Sequence, residues 1–157
     1  MTDTEARAAI LDLMADYCHF IDDNRLEEWL DFFTEDCVYK ILSRENEDSK
    51  LPMELMSCLN KNMLRDRVLS LRQANIYNIH TDKHVLGAVR VLGAENGVYR
   101  VRSNYAAYQT NQDGLTELFG VGTYHDRITF VGGKLFFKEK IVIADTFGIA
   151  RMLSTPL

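Results

Sequence analysis

The chain has 157 residues, of which 46% are hydrophobic and 26% are charged, and its formal net charge is −5 at pH 7. This length suits one domain, so we expect residues 1–157 to fold as a single unit. The negative charge argues against a nucleic-acid partner. No stretch has the roughly 18 consecutive apolar residues that a helix needs to span a membrane. The acidic start MTDTEARAAI is unlike a secretory signal peptide, so we expect a cytoplasmic protein.

The first quarter of the chain predicts two helices and a strand. Thr2 and Glu5 have the spacing of a capping box, in which each side chain bonds a free backbone N–H of the first turn. Apolar residues then recur every three or four positions, which predicts a helix over about 4–22. A shorter helix is expected over about 25–34, and a strand rich in β-formers over about 37–43.

A charged loop and a third helix are predicted next. Residues 44–50 (RENEDSK) mix both signs of charge and favour a solvent-exposed loop. Pro52 suits the start of a helix, where the backbone N–H has no partner in any case. Apolar residues with helical spacing follow it, so we expect a helix over about 52–73.

The second half of the chain alternates and is rich in Val, Ile, Tyr, Phe and Thr, with Gly and Asn at its breaks. It predicts four strands in an antiparallel meander, over about 83–94, 98–110, 115–131 and 134–147. Helices segregated from an antiparallel sheet define the α+β class. Glycines within the strands indicate strong bending, so we expect three helices packed in a strongly curved antiparallel sheet. This cone, reached from the element order, is the arrangement of the nuclear transport factor 2-like superfamily.

A cone can hold a pocket, so catalysis within this chain is one hypothesis. A histidine beside a carboxylate can act as a general acid and base, as dehydratases and isomerases require. The candidates are His84 with Asp22 or Asp126, together with Tyr124. No spacing forces two of them together, so we favour the simpler interpretation that they are core, rim or interface residues and that the chain has no catalytic residue.

The sequence does not provide a recognisable metal or cofactor site. The three cysteines (Cys18, Cys37 and Cys58) are widely spaced and fit reduced, packed thiols. His80 and His84 would lie about 13 Å apart along a strand. A Rieske cluster takes two cysteines and two histidines, and a mononuclear iron takes two histidines and a carboxylate. Neither set is present at workable spacing, so we expect no cofactor in this chain.

Several segments resemble the small (beta) subunits of bacterial aromatic-ring-hydroxylating dioxygenases. Residues 28–39 (EWLDFFTEDCVY) are similar to a signature near the start of those subunits, and 63–68 (MLRDRV) to their central helix. The later matches are 102–105 (RSNY), 122–126 (GTYHD) and 134–145 (KLFFKEKIVIAD) to strands, and 153–157 (LSTPL) to a short hydrophobic tail. The resemblance covers nearly the whole chain.

The resemblance implies a non-catalytic structural subunit of an oxygen-incorporating oxidoreductase. It implies a hexamer of three large and three small subunits, in which the small subunits trimerise and hold the large subunits in register. The Rieske cluster and the mononuclear iron would belong to the large subunit. Residues 64–77 (LRDRVLSLRQANIY) resemble forms that act on aromatic carboxylates, and Tyr108 and Phe136 are candidate contact residues. The alternative is a free-standing cone-fold enzyme or small-molecule binder of the dehydratase or isomerase type, which uses a His–carboxylate pair.

Overall fold

The computed structural model describes residues 2–50, 54–73, 79–145 and 156–157. Its helices are α1 (Asp3–Asp22), α2 (Leu26–Trp29) with a following 3-10 turn (Leu30–Phe32), α3 (Arg44–Asp48) and α4 (Lys61–Gln73). Its strands are β1 (Phe33–Ser43), β2 (Met56–Cys58), β3 (His80–Glu95), β4 (Val98–Asn111), β5 (Thr116–Val131) and β6 (Lys134–Ala144). In these ranges no helix combines the length and the apolar character needed to cross a bilayer.

One six-stranded sheet has the order β2-β1-β6-β5-β4-β3. Strands β3 to β6 form the expected antiparallel meander. The pair β1–β6 departs from the antiparallel expectation, because these two strands run parallel, with Val38 opposite Glu139. About 100 residues separate the paired positions of β1 and β6, so the chain can bring β6 alongside β1 in either direction. In the parallel register, Tyr39 on β1 and Val142 on β6 both point into the core.

Irregular positions bend the long strands around α1. Register shifts interrupt the β3–β4 pair at two places, between Gly87 and Arg90 and between Val91 and Gly93. Ala88 and Gly93 have positive φ values of 50° and 143°. Such bulges increase the twist of a strand and re-aim it, which lets the sheet curl.

The helix expected over 25–34 is shorter than the periodicity suggested. It runs only from Leu26 to Phe32, counting the 3-10 turn, and Phe33 is already extended, with φ −111° and ψ 146°. Phe33 is 1% exposed and pairs with Phe137, so pairing within the sheet ends the helix before this residue.

The expected helix over 52–73 is wrong in its first third. Residues Met56–Cys58 instead form the short edge strand β2 against β1. The helix α4 starts at Lys61, after Asn60, whose side-chain oxygen accepts the Met63 N–H at 2.9 Å in the manner of an N-cap. The Pro52 start signal lies outside the described residues.

The charged loop also contains a helix that the sequence analysis missed. The Ser43 hydroxyl accepts the Asn46 N–H at 3.2 Å, and the single turn α3 follows it. The capping box of α1 is confirmed, because the side chains of Thr2 and Glu5 each accept a backbone N–H of the other residue. Strand β3 begins three residues before the expected boundary, at His80.

Candidate functional site

An aromatic cluster fills the interior between α1 and the sheet. Tyr17 lies at its centre, because the helical period of α1 turns it inward with Met14 and Ile21. Its ring centroid is 5.4–6.4 Å from four other rings, and strand alternation brings further rings in from β1, β4 and β5. The cluster comprises Tyr17, Trp29, Phe33, Tyr39, Tyr105, Tyr124 and Phe137.

A buried ion pair lies under these rings. The Lys140 ammonium donates to both carboxylate oxygens of Asp126 at 3.0 Å. It also lies 3.9 Å from the Tyr124 ring centroid and 4.2 Å from the Tyr17 ring centroid, within cation–π distance. Burial raises the pKa of Asp126 and lowers the pKa of Lys140, and in each case the attraction of the partner opposes that shift. The pair holds β5 and β6 together inside the core.

A second buried pair joins the end of α1 to β3. The Nδ1 atom of His84 lies 2.6 Å from the Asp22 Oδ1, and the two side chains are 1% and 2% exposed. The His84 backbone N–H also donates to both Asp22 oxygens, at 3.1 and 2.9 Å. The carboxylate therefore fixes both the imidazole and the strand that carries it, and the buried His84 Nε2 has no hydrogen-bond partner among the residues that the structure describes.

Leu157 enters the same interior from the far end of the sequence. It is 3% exposed and belongs to the core cluster. Its main-chain oxygen accepts hydrogen bonds from the hydroxyls of Tyr39, at 2.9 Å, and of Tyr17. Its N–H donates to the Tyr39 hydroxyl at 3.1 Å. Pro156 beside it lines an apolar cleft between α2 and α4.

Six buried polar side-chain atoms have no hydrogen-bond partner within the described part of the chain. They are Trp29 Nε1, Thr34 Oγ1, His84 Nε2, Ser103 Oγ and the hydroxyls of Tyr105 and Tyr124. Three of the six belong to the aromatic cluster. Because buried polar atoms are usually satisfied, this interior has hydrogen-bonding capacity that its own side chains do not use.

The structure places the four candidate catalytic residues in two separate pairings. His84 and Asp22 are together, as one version of the hypothesis requires. Asp126, the other carboxylate named in that hypothesis, pairs with Lys140 instead. Tyr124 contacts the Lys140 ammonium through its ring, and its hydroxyl has no hydrogen-bond partner within residues 2–50, 54–73, 79–145 and 156–157. Sequence reasoning missed Lys140, although strand alternation in 140–144 (KIVIA) aligns it with the buried Val142 and Ala144.

The thiols are poorly suited to bind metal or to react. All three cysteines are buried and free. Burial raises the pKa of Cys18 to about 12 and that of Cys37 to about 11, so both stay protonated at neutral pH. Across the ranges that the structure describes, no three His, Cys, Asp or Glu side chains come together as a metal site.

The outer face of the sheet carries a cluster of arginines. Arg90 lies opposite Arg102, and Arg100 lies opposite Arg127, on strands β3 to β5. All four are exposed, and within residues 2–50, 54–73, 79–145 and 156–157 none lies within ion-pair distance of a carboxylate. Like charges directly opposite one another destabilise a sheet, so the two arginine pairs cost free energy in the isolated chain, which Glu139, opposite Arg127 on β6, offsets in part.

Apolar side chains on the same sheet accompany the arginines. Tyr108 lies opposite Leu118, and the two are 36% and 55% exposed. Val85 is 53% exposed on the neighbouring strand. The expected contact residue Tyr108 is thus at the surface, whereas Phe136 is half-buried.

Comparison with known proteins gives consistent matches. Residues 2–140 match the family model of the SnoaL-like domain. The chain is 40% identical over 141 residues to the anthranilate 1,2-dioxygenase small subunit of Burkholderia cepacia, covering 90% of this chain and 88% of that one. It is 32% identical over 143 residues to subunit beta 2 of the terminal oxygenase component of terephthalate 1,2-dioxygenase from Comamonas sp, covering 91% and 93%.

A solved structure matches as well. It is described as the beta subunit of an aromatic-ring-hydroxylating dioxygenase from Novosphingobium aromaticivorans. It superposes with a TM-score of 0.89 at 39% identity and covers 98% of each chain. This likeness confirms the expected α+β cone, with its helices held in a curved sheet.

Proposed function

Because this chain belongs to the SnoaL-like family and, within it, to the small subunits of aromatic-ring-hydroxylating dioxygenases, we propose that it is the non-catalytic structural subunit of such an enzyme. It is a component of an oxygen-incorporating oxidoreductase and has a large oxygenase subunit as its partner. In the proposed assembly, three copies form a trimer that holds three large subunits in register.

The observation that carries this proposal is the outer sheet face. Arginine and tyrosine are enriched in protein interfaces, and here Arg100, Arg102 and Tyr108 are exposed on one strand. Four arginines that pair with no carboxylate among the described residues would be stabilised by an acidic partner surface. A role in positioning accounts for this face better than a role in chemistry, because the interior is filled by the chain's own aromatic rings.

The cofactors are assigned to the large subunit on the same basis. The residues of this chain do not fit a Rieske cluster, which takes two thiolates and two imidazoles, because its thiols are buried and protonated. In the proposed hexamer this chain sets the distance between the iron centres of neighbouring large subunits. An aromatic carboxylate is the proposed substrate class, supported by relatives named for anthranilate and terephthalate.

The test is assembly with the large subunit. The chain is produced alone and together with its large subunit, and native mass and iron content are measured. We expect an iron-free product in the first case and a complex of three large and three small chains in the second, with all the iron in the large chains. A chain that stays separate from the large subunit would refute the proposal.

One observation favours a second candidate function. The short contact between His84 Nδ1 and Asp22 leaves the opposite ring nitrogen unused in the interior. This is the orientation of a general base, as in a dehydratase or isomerase that works inside the cone. Activity of the isolated chain that disappears in His84→Ala would support it.

A further inference from the structure

We propose that the hydroxyl pair of Tyr17 and Tyr39 is a binding site for a compact apolar molecule with a carboxamide or carboxylic acid group, and that Leu157 occupies this site in cis. The inference concerns the interior of the cone and does not rest on the proposed assembly. It assigns a role to two buried tyrosines that the structural function leaves unexplained.

The hydrogen-bond geometry defines the polar end of the site. Each tyrosine has one proton to donate. Both protons go to the Leu157 main-chain oxygen. The two hydroxyl oxygens are 3.3 Å apart, so together they form a two-pronged donor around one acceptor. The Tyr39 oxygen adds an acceptor for the Leu157 N–H. The oxygen and the N–H lie on either side of the Leu157 Cα, so an N-acylated amino-acid end satisfies the site completely.

Both hydroxyls keep their protons across the physiological range. Desolvation is the largest cause that raises the pKa of Tyr17 and of Tyr39 above the ordinary tyrosine value. Tyr17 and Tyr39 are 1% and 0% exposed, so water competes little for them. Buried donors of this kind hold an acceptor oxygen strongly, and leaving them without one costs free energy.

The walls of the site are apolar and aromatic. The Trp29 ring packs 5.8 Å from the rings of both Tyr17 and Tyr39, measured between centroids. Beside them, the cleft that contains Pro156 is lined mainly by apolar side chains of α2, β2 and α4, including Leu26, Met56 and Leu64. A branched aliphatic or single-ring body matches the polarity of these walls.

Unused polar atoms lie next to the site. Trp29 Nε1 and the hydroxyls of Tyr105 and Tyr124 are buried and have no partner in the described part of the chain. Tyr124 is in ring contact with Tyr17, with centroids 5.9 Å apart. A ligand with a second polar group can form hydrogen bonds with these donors, which Leu157 does not use. The site therefore has more hydrogen-bonding groups than Leu157 engages.

Occupation in cis predicts weak binding by the intact chain. A tethered occupant acts at a high effective concentration, commonly in the millimolar range, and a free ligand must compete with it. Removal of the leucine side chain should therefore reveal affinity that the intact chain hides.

The experiment measures binding of N-acetyl-leucine, which carries the leucine side chain with its N–H and its carboxyl group, by isothermal titration and by NMR. The intact chain is compared with Leu157→Ala and with a chain that lacks residues 156–157. We expect at least tenfold tighter binding in both variants. Leu157→Ala retains the whole backbone and decides the question if the shortened chain unfolds.

A second set of variants tests the polar end. On the Leu157→Ala background, Tyr17→Phe and Tyr39→Phe should each weaken binding about tenfold, which corresponds to one hydrogen bond. Tyr108→Phe, on the outer face, is the matched control and should have no effect. Equal affinity of the intact chain and Leu157→Ala, or binding that is insensitive to both interior Phe variants, would overturn the proposal.

Discussion

Lys140 and Asp126 form a fully desolvated ion pair, in which the ammonium lies 3.0 Å from each carboxylate oxygen and the side chains are 1% and 0% exposed. Such a pair is sensitive to the loss of one partner, because the remaining charge is then buried alone.

Lys140→Met should destabilise the fold by about 3–5 kcal/mol, since the Asp126 carboxylate loses its partner. For a chain of this size we expect the melting temperature to fall by roughly 10 °C in calorimetry. Lys138→Met is the control, because Lys138 is 48% exposed and lies 3.8 Å from Asp36. The double variant Lys140→Met/Asp126→Leu should recover much of the loss, and an undiminished loss would contradict this explanation.

Gly122→Ala should destabilise the sheet. A Cβ atom there would lie 1.9 Å from the Ile143 carbonyl oxygen and 2.9 Å from the Tyr105 ring. We expect a loss of about 3 kcal/mol or more in urea unfolding, at the upper end of overpacking effects. Gly120→Ala, on the same strand, meets no atom within 4 Å and should change stability by less than about 0.5 kcal/mol. Equal effects of the two changes would show that the clash is not the cause.

Glu27 should make the fold sensitive to acid. The side-chain hydrogen bonds from Arg72 lower the pKa of Glu27 to about 2, with contacts of 2.8 and 2.9 Å. A lowered carboxyl pKa stabilises the fold above the ordinary value near 4.5, and this contribution disappears as the pH falls toward about 2. Because the Glu27 side chain is 61% exposed, we expect only about 0.5–1 kcal/mol.

The measurement is the pH dependence of unfolding free energy in the intact chain and in Glu27→Gln. The difference between the two should be present at pH 6 and absent near pH 2. Asp12→Asn, at an exposed position of α1, is the control for removing an acid. A difference that grows as the pH falls would contradict the assigned sign.

His84→Ala should leave oxygenase turnover within about threefold of the parent value in an assembled, iron-loaded complex. The reason is that the His84–Asp22 pair, in the proposed structural role, joins α1 to β3 and does not touch substrate. Turnover and native mass are measured on the same preparation. A loss of several orders of magnitude in an intact hexamer would refute the structural assignment and favour the catalytic alternative.

Arg102→Glu should weaken assembly without unfolding the chain. Arg102 lies between Arg90 and His125 on the outer face, and reversal of its charge would repel an acidic partner. We expect the hexamer peak to shrink in size-exclusion chromatography, while the melting temperature of the separate chain stays the same or rises. Lys134→Glu, at the exposed first residue of β6, is the control for charge alone. Unchanged assembly would remove this face from the interface.

Local signals in the sequence predicted most of the fold. The meander was accessible because its strands alternate and its turns carry Gly or Asn, and the family resemblance is confirmed. The start of α4 could not be predicted from the sequence. The apolar residues of 55–59 fit a helical period as well as they fit the short strand that pairs with β1. The parallel β1–β6 pair joins distant segments, and no local signal specifies such a pairing.

The candidate site was only partly accessible. The sequence analysis named His84 and Asp22, but their contact depends on how α1 ends against β3, which no spacing reveals. In the sequence, Lys140 looks like an ordinary surface residue of the charged run 138–140 (KEK). Only strand alternation, which puts it on the same face as the buried Val142, indicates that it is buried. The contact of Leu157 with Tyr17 and Tyr39 joins residues more than 100 positions apart, so it is visible only in three dimensions.

The parallel pairing of β1 with β6 also has a kinetic consequence. Val38 pairs with Glu139, which is synthesised about 100 residues later, so the edge of β1 that faces β6 has no neighbouring strand until then. Until then β1 presents unpaired backbone groups, and such an open edge invites association with other chains. Pairings of high contact order form late, so the yield of folded protein will depend on how well this edge is protected while the chain is being made.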